Sequence, residues 1–373
     1  MAHIRVRNLQ AIIARELKFW PVVCVLGPRQ SGKSTLLREL LDMGTYRSLD
    51  PIGERTRASA NPESWLSDVR SFPLIIDEAQ KVPTLFDEIK SLVDAKRRPG
   101  RYILSGSVQF SKRSGIRESL TGRAAVLRMD PMTLGETESS RADLKMIQRY
   151  LEHGGMPGVC FLRSGETRAS YWEQWLDTTC ERDLLQLSIG RLNGTLARQI
   201  LEQTAILEFP NVANIARALR VDARRITTHL TALRDLFAVR EIAPLAVGKP
   251  IWLPFDCGMA HFLGADIRRR LQILFLNECL NAARFAGTAH PEMPKYYLTK
   301  RRSFVDFVDA RGFHLLSENA SPDRRDMMTL LALEKKTAKT RERIQVYCAT
   351  EQAQARISTR IRAMPWRVMA GKA

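Results

Sequence analysis

Gly27-Pro28-Arg29-Gln30-Ser31-Gly32-Lys33-Ser34 is the stretch on which the reading of this chain turns. It has the form G-x-x-x-x-G-K-[ST], the pattern of a backbone loop that cradles phosphate groups. Ahead of it, Pro21-Val22-Val23-Cys24-Val25-Leu26 is continuously apolar and reads as a buried parallel strand. Behind it, Thr35-Leu36-Leu37-Arg38-Glu39-Leu40-Leu41 consists of good helix formers. Strand, glycine loop and helix is the setting the motif requires. Gly27 and Gly32 permit backbone angles that turn several N–H groups onto one anion. The helix starting near Lys33 adds its positive end. Lys33 is expected to reach the β- and γ-phosphates of ATP, and the Ser34 hydroxyl to take one Mg²⁺ position. The phosphate-binding set is Gly27, Pro28, Arg29, Gln30, Ser31, Gly32, Lys33, Ser34 and Thr35, with ATP and Mg²⁺ as the expected cofactors.

Upstream, residues 4–20 read as an amphipathic helical lead-in that either packs on the core or covers the base. Downstream, Tyr46–Asp50 is a short strand stopped by Pro51, and residues 61–70 look helical. Phe72-Pro73-Leu74-Ile75-Ile76-Asp77-Glu78-Ala79-Gln80 is an apolar strand with two acids at its C-terminal tip, where ligands of open parallel sheets bind. Asp77 is expected to hold Mg²⁺, usually through water, and Glu78 to polarise the attacking water. A helix follows over Pro83–Lys96. The next strand, Arg101–Leu104, runs into Ser105-Gly106-Ser107, where either serine can touch the γ-phosphate or the water. A cap or turn is the plainer use of the same residues. Arg123 precedes the strand Ala124–Met129 and is a candidate arginine finger, against the plainer reading of a surface arginine.

Four motifs together carry a resemblance: Gly27–Ser34, Leu74–Glu78, Ile103–Ser107 and Ser119-Leu120-Thr121-Gly122-Arg123. They resemble those of prokaryotic AAA+ ATPases that continue into a winged-helix segment and a C-terminal domain of long-unknown function. Gly154-Gly155-Met156-Pro157 and Cys180-Glu181-Arg182-Asp183 extend the resemblance over nearly the whole chain. It implies an ATPase assembled as a homo-oligomeric ring, with Arg123 reaching the neighbouring subunit's nucleotide. It also raises Arg182 as a second sensor of the γ-phosphate.

Residues 142–190 read as helical, with Tyr171, Trp172, Trp175, Leu176 and Leu184 as a core stripe. Residues 196–250 have the pattern helix (212–219), turn, helix (224–237) and hairpin, that of a helix-turn-helix with a wing. Arg217, Arg220, Arg224, Arg225, Arg240 and Lys249 are its candidate DNA contacts, with Arg234, Thr227, Thr228 and His229 beside them; a protein-contact module is the alternative. From about residue 268 the pattern becomes α+β. Glu278 on a helix, Asp306 on a strand and Glu318 on the next look like a restriction-endonuclease-type fold that could still hold a metal. Ala320 stands where that pattern needs the lysine that activates water, so no nuclease activity is expected. Strands are expected over 295–298, 303–309, 313–320, 343–348 and 366–369.

The 373 residues carry 58 Lys and Arg against 40 Asp and Glu, a net charge of +18. From Arg191 onward there are 30 basic and 17 acidic residues, so the excess lies mainly in that half and favours a polyanion such as DNA. Six scattered cysteines without a C-x-x-C pair speak against a disulfide frame or zinc site. No leader-like apolar region opens the chain and no run approaches a membrane span, so a cytoplasmic protein without membrane contact is expected. The fold class is α/β: a P-loop AAA+ core of parallel sheet flanked by helices (1–140), a helical lid (141–195), a winged-helix domain (196–265) and an α+β endonuclease-like domain (266–373). The function read from this is an ATP-hydrolysing motor on DNA that remodels or branch-migrates branched DNA. The alternative is a nucleotide-controlled switch or protein-remodelling ATPase in signalling or defence.

Overall fold

The apolar runs of the N-terminal third lie side by side as one parallel sheet. Its strands are β1 (Val22–Leu26), β2 (Thr45–Ser48), β3 (Leu74–Asp77), β4 (Tyr102–Gly106) and β5 (Ala124–Arg128), in the order β2-β3-β4-β1-β5. Every neighbouring pair is parallel. The computed structural model describes residues 5–370 apart from 41–43, 110–119, 138–142, 188–189, 289–290, 299–302, 338–341, 351 and 353–354. Residue 4 of the lead-in and Ser119 of the motif Ser119–Arg123 lie outside the described residues. The chain packs as two compact units. One comprises residues 1–130, 235–237 and 285–289; the other comprises 131–234, 238–284 and 290–373.

In the first unit the side-chain alternation of the strands divides the core in two. Val22, Cys24, Leu26, Leu74, Ile76, Tyr102 and Leu104 face the helix Thr84–Ala95 through Leu85, Phe86, Ile89 and Val93. Val23, Val25, Ile75, Ile103 and Leu127 face Leu9, Ile12 and Ile13 of the helix Leu9–Glu16, together with Leu36 and Leu37. Both faces are covered, which is why the strand sequences are continuously apolar rather than alternating. Each buried aliphatic side chain contributes about 1.5–3 kcal/mol, several times an exposed ion pair, so these two layers hold the sheet. The lead-in is thus a shorter helix than 4–20, and its apolar stripe packs on the sheet. Because β4 lies between β1 and β3, the glycine loop, Ser105-Gly106-Ser107 and Asp77-Glu78 leave the sheet at one edge.

In the second unit a short helix, Leu134–Thr137, precedes helices Leu144–His153 and Gly165–Asp177, the last continued by a wider π-helical turn over Thr178–Asp183. The helical reading of 142–190 is interrupted at 154–164, where Gly154 takes a φ of 77° and Pro157 follows. The aromatic stripe is core as expected: Trp172 and Trp175 are buried, and Trp175 stacks on Phe255 with ring centroids 5.1 Å apart. Gly-Gly-x-Pro has a packing role. The buried Asp256 carboxylate accepts from Gly155 N at 2.8 Å while capping the helix Cys257–Phe262 through Gly258 N and Met259 N. Burial pushes Asp256 up to about 6 against those three bonds.

Helices Gly194–Ile206, Val212–Leu219 and Ala223–Asp235 follow, and β6 (Val239–Ile242) pairs antiparallel with β7 (Ile251–Pro254). After the long helix Ile267–Phe285 comes a six-stranded mixed sheet. Its members are β8 (Lys295–Leu298), β9 (Phe304–Asp309), β10 (Gly312–Leu316), β11 (Ile344–Cys348), β12 (Ala355–Arg356) and β13 (Ile361–Pro365), in the order β12-β13-β11-β10-β9-β8. β10 is shorter than the strand expected over 313–320. The strand expected at 366–369 lies instead at 361–365. Pro365 offers no N–H to continue the ladder, and Trp366 starts a 3₁₀ turn with its buried indole donating to Ser317 O at 3.0 Å.

Asp256→Ala leaves three buried N–H groups without their acceptor. It is expected to lower the unfolding free energy by about 3 kcal/mol or more, read from the urea midpoint at an unchanged m-value. A loss below 1 kcal/mol would show the Gly155–Asp256 junction to be dispensable.

Candidate active site

The glycine loop leaves β1 under tight control. A Cβ on Gly27 would lie 2.2 Å from Met129 O, so glycine is required there by the close approach of the chain after β5. Gly32 needs its freedom for another reason, a left-handed φ of 93°. Gln30 also sits at a φ of 61°, and Glu78 at 57°. Backbone strain of this kind concentrates at functional sites. The loop is braced from outside the motif: buried Arg7 donates to Ser31 O at 3.0 Å and to Asp130 O at 2.8 Å. Arg7 carries no motif, and nothing in the sequence around it marks this role.

Lys33 is buried and folded over its own loop, donating to Gly27 O at 3.0 Å and Pro28 O at 2.8 Å. Desolvation pushes it down to about 8, with Glu78 and Asp77 working against the shift and Arg29 adding to it. A buried ammonium whose hydrogen bonds among the described residues go to neutral carbonyls gains by meeting an anion. Ser31 adds a buried hydroxyl with no hydrogen-bond partner among the described residues.

Asp77, the last residue of β3, collects donors from three other segments. Its Oδ1 accepts from the Ser105 hydroxyl and from Glu78 N, and its Oδ2 from the Tyr46 phenol at 2.6 Å. The Ser34 hydroxyl is a further donor. Burial works to raise the Asp77 carboxyl, but these bonds and the Lys33 charge outweigh it and hold it below the ordinary carboxylate range. Tyr46 is pushed up to about 12 by burial and by its bond to Asp77. A hydroxyl and an ionised carboxylate side by side form the oxygen donor set that suits Mg²⁺. Ser105 and Ser107, interchangeable in the sequence, separate here. Ser105 bonds Asp77, whereas Ser107 bonds Glu78 at 3.2 Å and Gln80 at 3.3 Å. Tyr46 and Gln80 were present in the strand readings without a role.

Arg123 stands at the start of β5, where its carbonyl accepts from Val22 N. That is the opposite end of β1 from the glycine loop, about 13 Å away at the usual rise per residue. Its guanidinium grips Asp94 with two bonds of 2.6 and 2.7 Å. Arg182, in the second unit, is exposed and pairs with Asp183.

Four of the six candidate DNA contacts crowd about one turn of the second unit. Arg217 is in the last turn of one helix, Arg220 follows it, and Arg224 and Arg225 open the next; all four are exposed, as is Lys249. Two expectations are corrected. Arg240 is 2% exposed, with Asp256 among its electrostatic neighbours, and His229 is fully buried, accepting from Asn193 N. Neither can meet a phosphate, because the hairpin and the helix face that carry them turn inward. Arg234 is occupied by Glu241 at 2.6 Å.

The three acids read as a possible metal-holding set, Glu278, Asp306 and Glu318, do not form one. Asp306 spends its oxygens on Arg268, Gln272 Nε2 and Leu316 N. Glu278 lies ten residues along the same helix from Arg268, accepts from Leu134 N and is pushed up to about 8 by burial. Glu318 is exposed beyond β10. Among the described residues no group of three His, Cys, Asp or Glu side chains could hold a metal ion. No helix among them is long and apolar enough to cross a membrane. All six cysteines are free.

Gly27→Ala sets a methyl against the Met129 carbonyl. The expected result is a stability loss of about 1–3 kcal/mol together with at least tenfold weaker binding of a fluorescent ATP analogue. Unchanged nucleotide affinity would detach the loop from phosphate binding.

Residues 20–138 match the family described as an AAA domain, and residues 144–249 match a domain of unknown function. Two uncharacterized proteins, Mb2031c of Mycobacterium bovis and Rv2008c of Mycobacterium tuberculosis, are each 32% identical over 279 residues. The match covers 71% of this chain and 61% of each relative, so the chain spans less than two-thirds of their length. Among solved structures, the Walker-type ATPase paby2304 of Pyrococcus abyssi is similar at a TM-score of 0.48 and 14% identity, over 70% of this chain and 96% of that one. A RuvB variant of Thermotoga maritima is similar at 0.31 and 15%, over 65% and 90%. Likenesses this remote add nothing to the sheet order and the loop. With the family match and the Lys33, Asp77 and Glu78 geometry at one sheet edge, residues 20–138 are a P-loop ATPase domain of the AAA type.

Proposed function

We propose that the chain is a Mg²⁺-dependent ATP-hydrolysing AAA+ motor that assembles as a homo-oligomeric ring and remodels or branch-migrates DNA. The observation that carries the hydrolytic part is the convergence of Lys33, Asp77, Glu78 and Ser107 beside the glycine loop. The loop N–H groups and Lys33 bind the phosphates, Lys33 exchanging two carbonyls for anionic oxygens. Ser34 and Asp77 would hold the metal ion, which would supply charge neutralisation to the phosphates. Glu78 takes the proton of the attacking water as the water oxygen bonds to the γ-phosphorus and the bond from that phosphorus to the β–γ bridging oxygen breaks, with ADP as the leaving group. Arg123 serves a neighbouring subunit, a role favoured by its place at the sheet end away from its own loop, and release from Asp94 precedes it.

The DNA part rests on charge and on the helix–turn–helix and hairpin between residues 212 and 254. Arg217, Arg220, Arg224, Arg225 and Lys249 bind phosphates rather than base edges, since a motor moves along any sequence. The region from 266 serves as scaffold or DNA-tracking surface and does not cut.

ATPase assays with and without single-stranded, duplex and four-way-junction DNA test the reading. Lys33→Ala is expected to abolish binding or turnover, and Glu78→Gln to keep binding and stop hydrolysis. Charge reversal of Arg224 and Arg225 is expected to weaken DNA affinity similarly across sequences and to flatten the salt dependence by about one slope unit per lost contact, with basal ATPase intact. Equal affinity and slope would put the nucleotide-controlled switch or protein-remodelling reading ahead. Arg123→Ala is expected to lower turnover by about 10³ to 10⁵ without comparable loss of ATP affinity. Mixing it with Lys33→Ala subunits is expected to restore activity above either alone. No recovery in proven mixed assemblies would place Arg123 outside the site.

A further inference from the structure

We propose that Gln80 is the positioning residue for Glu78, anchoring one carboxylate oxygen so that the other faces the attacking water. The proposal rests on Glu78 as the general base. Glu78 follows β3 directly, in a left-handed conformation that fixes where its side chain starts. Gln80 lies two residues on, in the single 3₁₀ turn Ala79–Lys81, and is 6% exposed. Its Nε2 donates to Glu78 Oε2 and approaches Ser107 Oγ at 3.3 Å, while Ser107 Oγ reaches the same Oε2 at 3.2 Å. The three side chains close a triangle around one oxygen. Among the described residues no hydrogen bond reaches Glu78 Oε1. The amide orientation follows from chemistry, because an ionised carboxylate only accepts and Gln80 can meet it only with its NH₂.

A free glutamate side chain rotates about three bonds, and a base that wanders abstracts a proton inefficiently. Two donors on Oε2 remove that freedom and leave Oε1 with its lone pairs unused. The buried turn holds Gln80 in place, and Ser107, just beyond β4, ties the pair to a second strand. Gln80 itself touches neither phosphate nor water in this scheme, so its whole effect passes through Glu78. That separates it from a merely structural glutamine, whose loss lowers stability and affects every property of the site alike.

The test uses the full chain with Gln80→Met, which keeps the volume and deletes the donor, and Gln80→Ala as the second variant. Both are expected to lower kcat by roughly 10- to 100-fold while the affinity for a non-hydrolysable ATP analogue stays within about twofold. In a Glu78→Gln background, the slow residual single-turnover rates with and without Gln80→Met are expected to agree, because the group being positioned is already gone. Full kcat in both Gln80 variants, with Glu78→Gln inactive, overturns the proposal and leaves the base assignment standing. A multiplicative loss in the double variant also overturns it, by showing that Gln80 acts elsewhere. Normal turnover in Glu78→Gln removes the base assignment and the proposal with it. A matched loss of nucleotide affinity and kcat in the Gln80 variants assigns the residue to general loop structure and rejects positioning.

Discussion

The Asp77 carboxylate is the knot of the first unit. It ends β3 and takes hydrogen bonds from Ser105 on β4, Tyr46 on β2 and Ser34 after the loop that leaves β1. Four strands of a five-stranded sheet therefore converge on two oxygen atoms. An ionised carboxylate buried without such partners is costly, and here the bonds and the nearby Lys33 outweigh the loss of water. The sheet order makes this possible, since β4 between β1 and β3 puts Ser105 beside the acid and lets Gly106 O accept from Gly27 N of the loop. Glu78, one residue beyond, inherits its position from the same arrangement.

Buried charges in the second unit serve different ends. Asp256 joins the end of one helix to the start of another through three backbone N–H groups. Asp306 is neutralised by Arg268 and saturated by Gln272 and Leu316 N. A carboxylate whose acceptor sites are all taken is a structural element, and replacing one of its partners costs more than the pair contributes. Asp306 is thus a packing element rather than the metal holder that the acid pattern offered. The exposed arginines about residues 217–225 are the counterpart: their charge is left to the surface, where it can act on a polyanion.

Much of the first unit was legible because its signals are local. Val22–Leu26 and Leu74–Asp77 are apolar runs whose buried state follows from composition, and the spacing of Gly27, Gly32, Lys33 and Ser34 is dictated by phosphate geometry. The aromatic stripe at Trp172 and Trp175 was core for the same kind of reason, helical period. Misreadings fell where local pattern was silent about partners. The strand beginning at Trp366 failed because a proline one residue earlier closes the ladder. Arg240 and His229 looked like surface cations, since charge type says nothing about which face of a hairpin or helix turns inward.

The sequence by itself determined the phosphate loop, the paired acids at a strand tip and the basic character of the later half, because each is written in contiguous residues with a fixed period or spacing. Tertiary structure alone decided that Ser105 belongs to Asp77 and Ser107 to Glu78, that Arg7 braces the loop from 24 residues before Ser31 and that Arg123 faces away from its own nucleotide loop. Those facts depend on strand order and register. Both are set by how the two apolar faces of the sheet are covered, a property of the whole folded unit that no short stretch encodes.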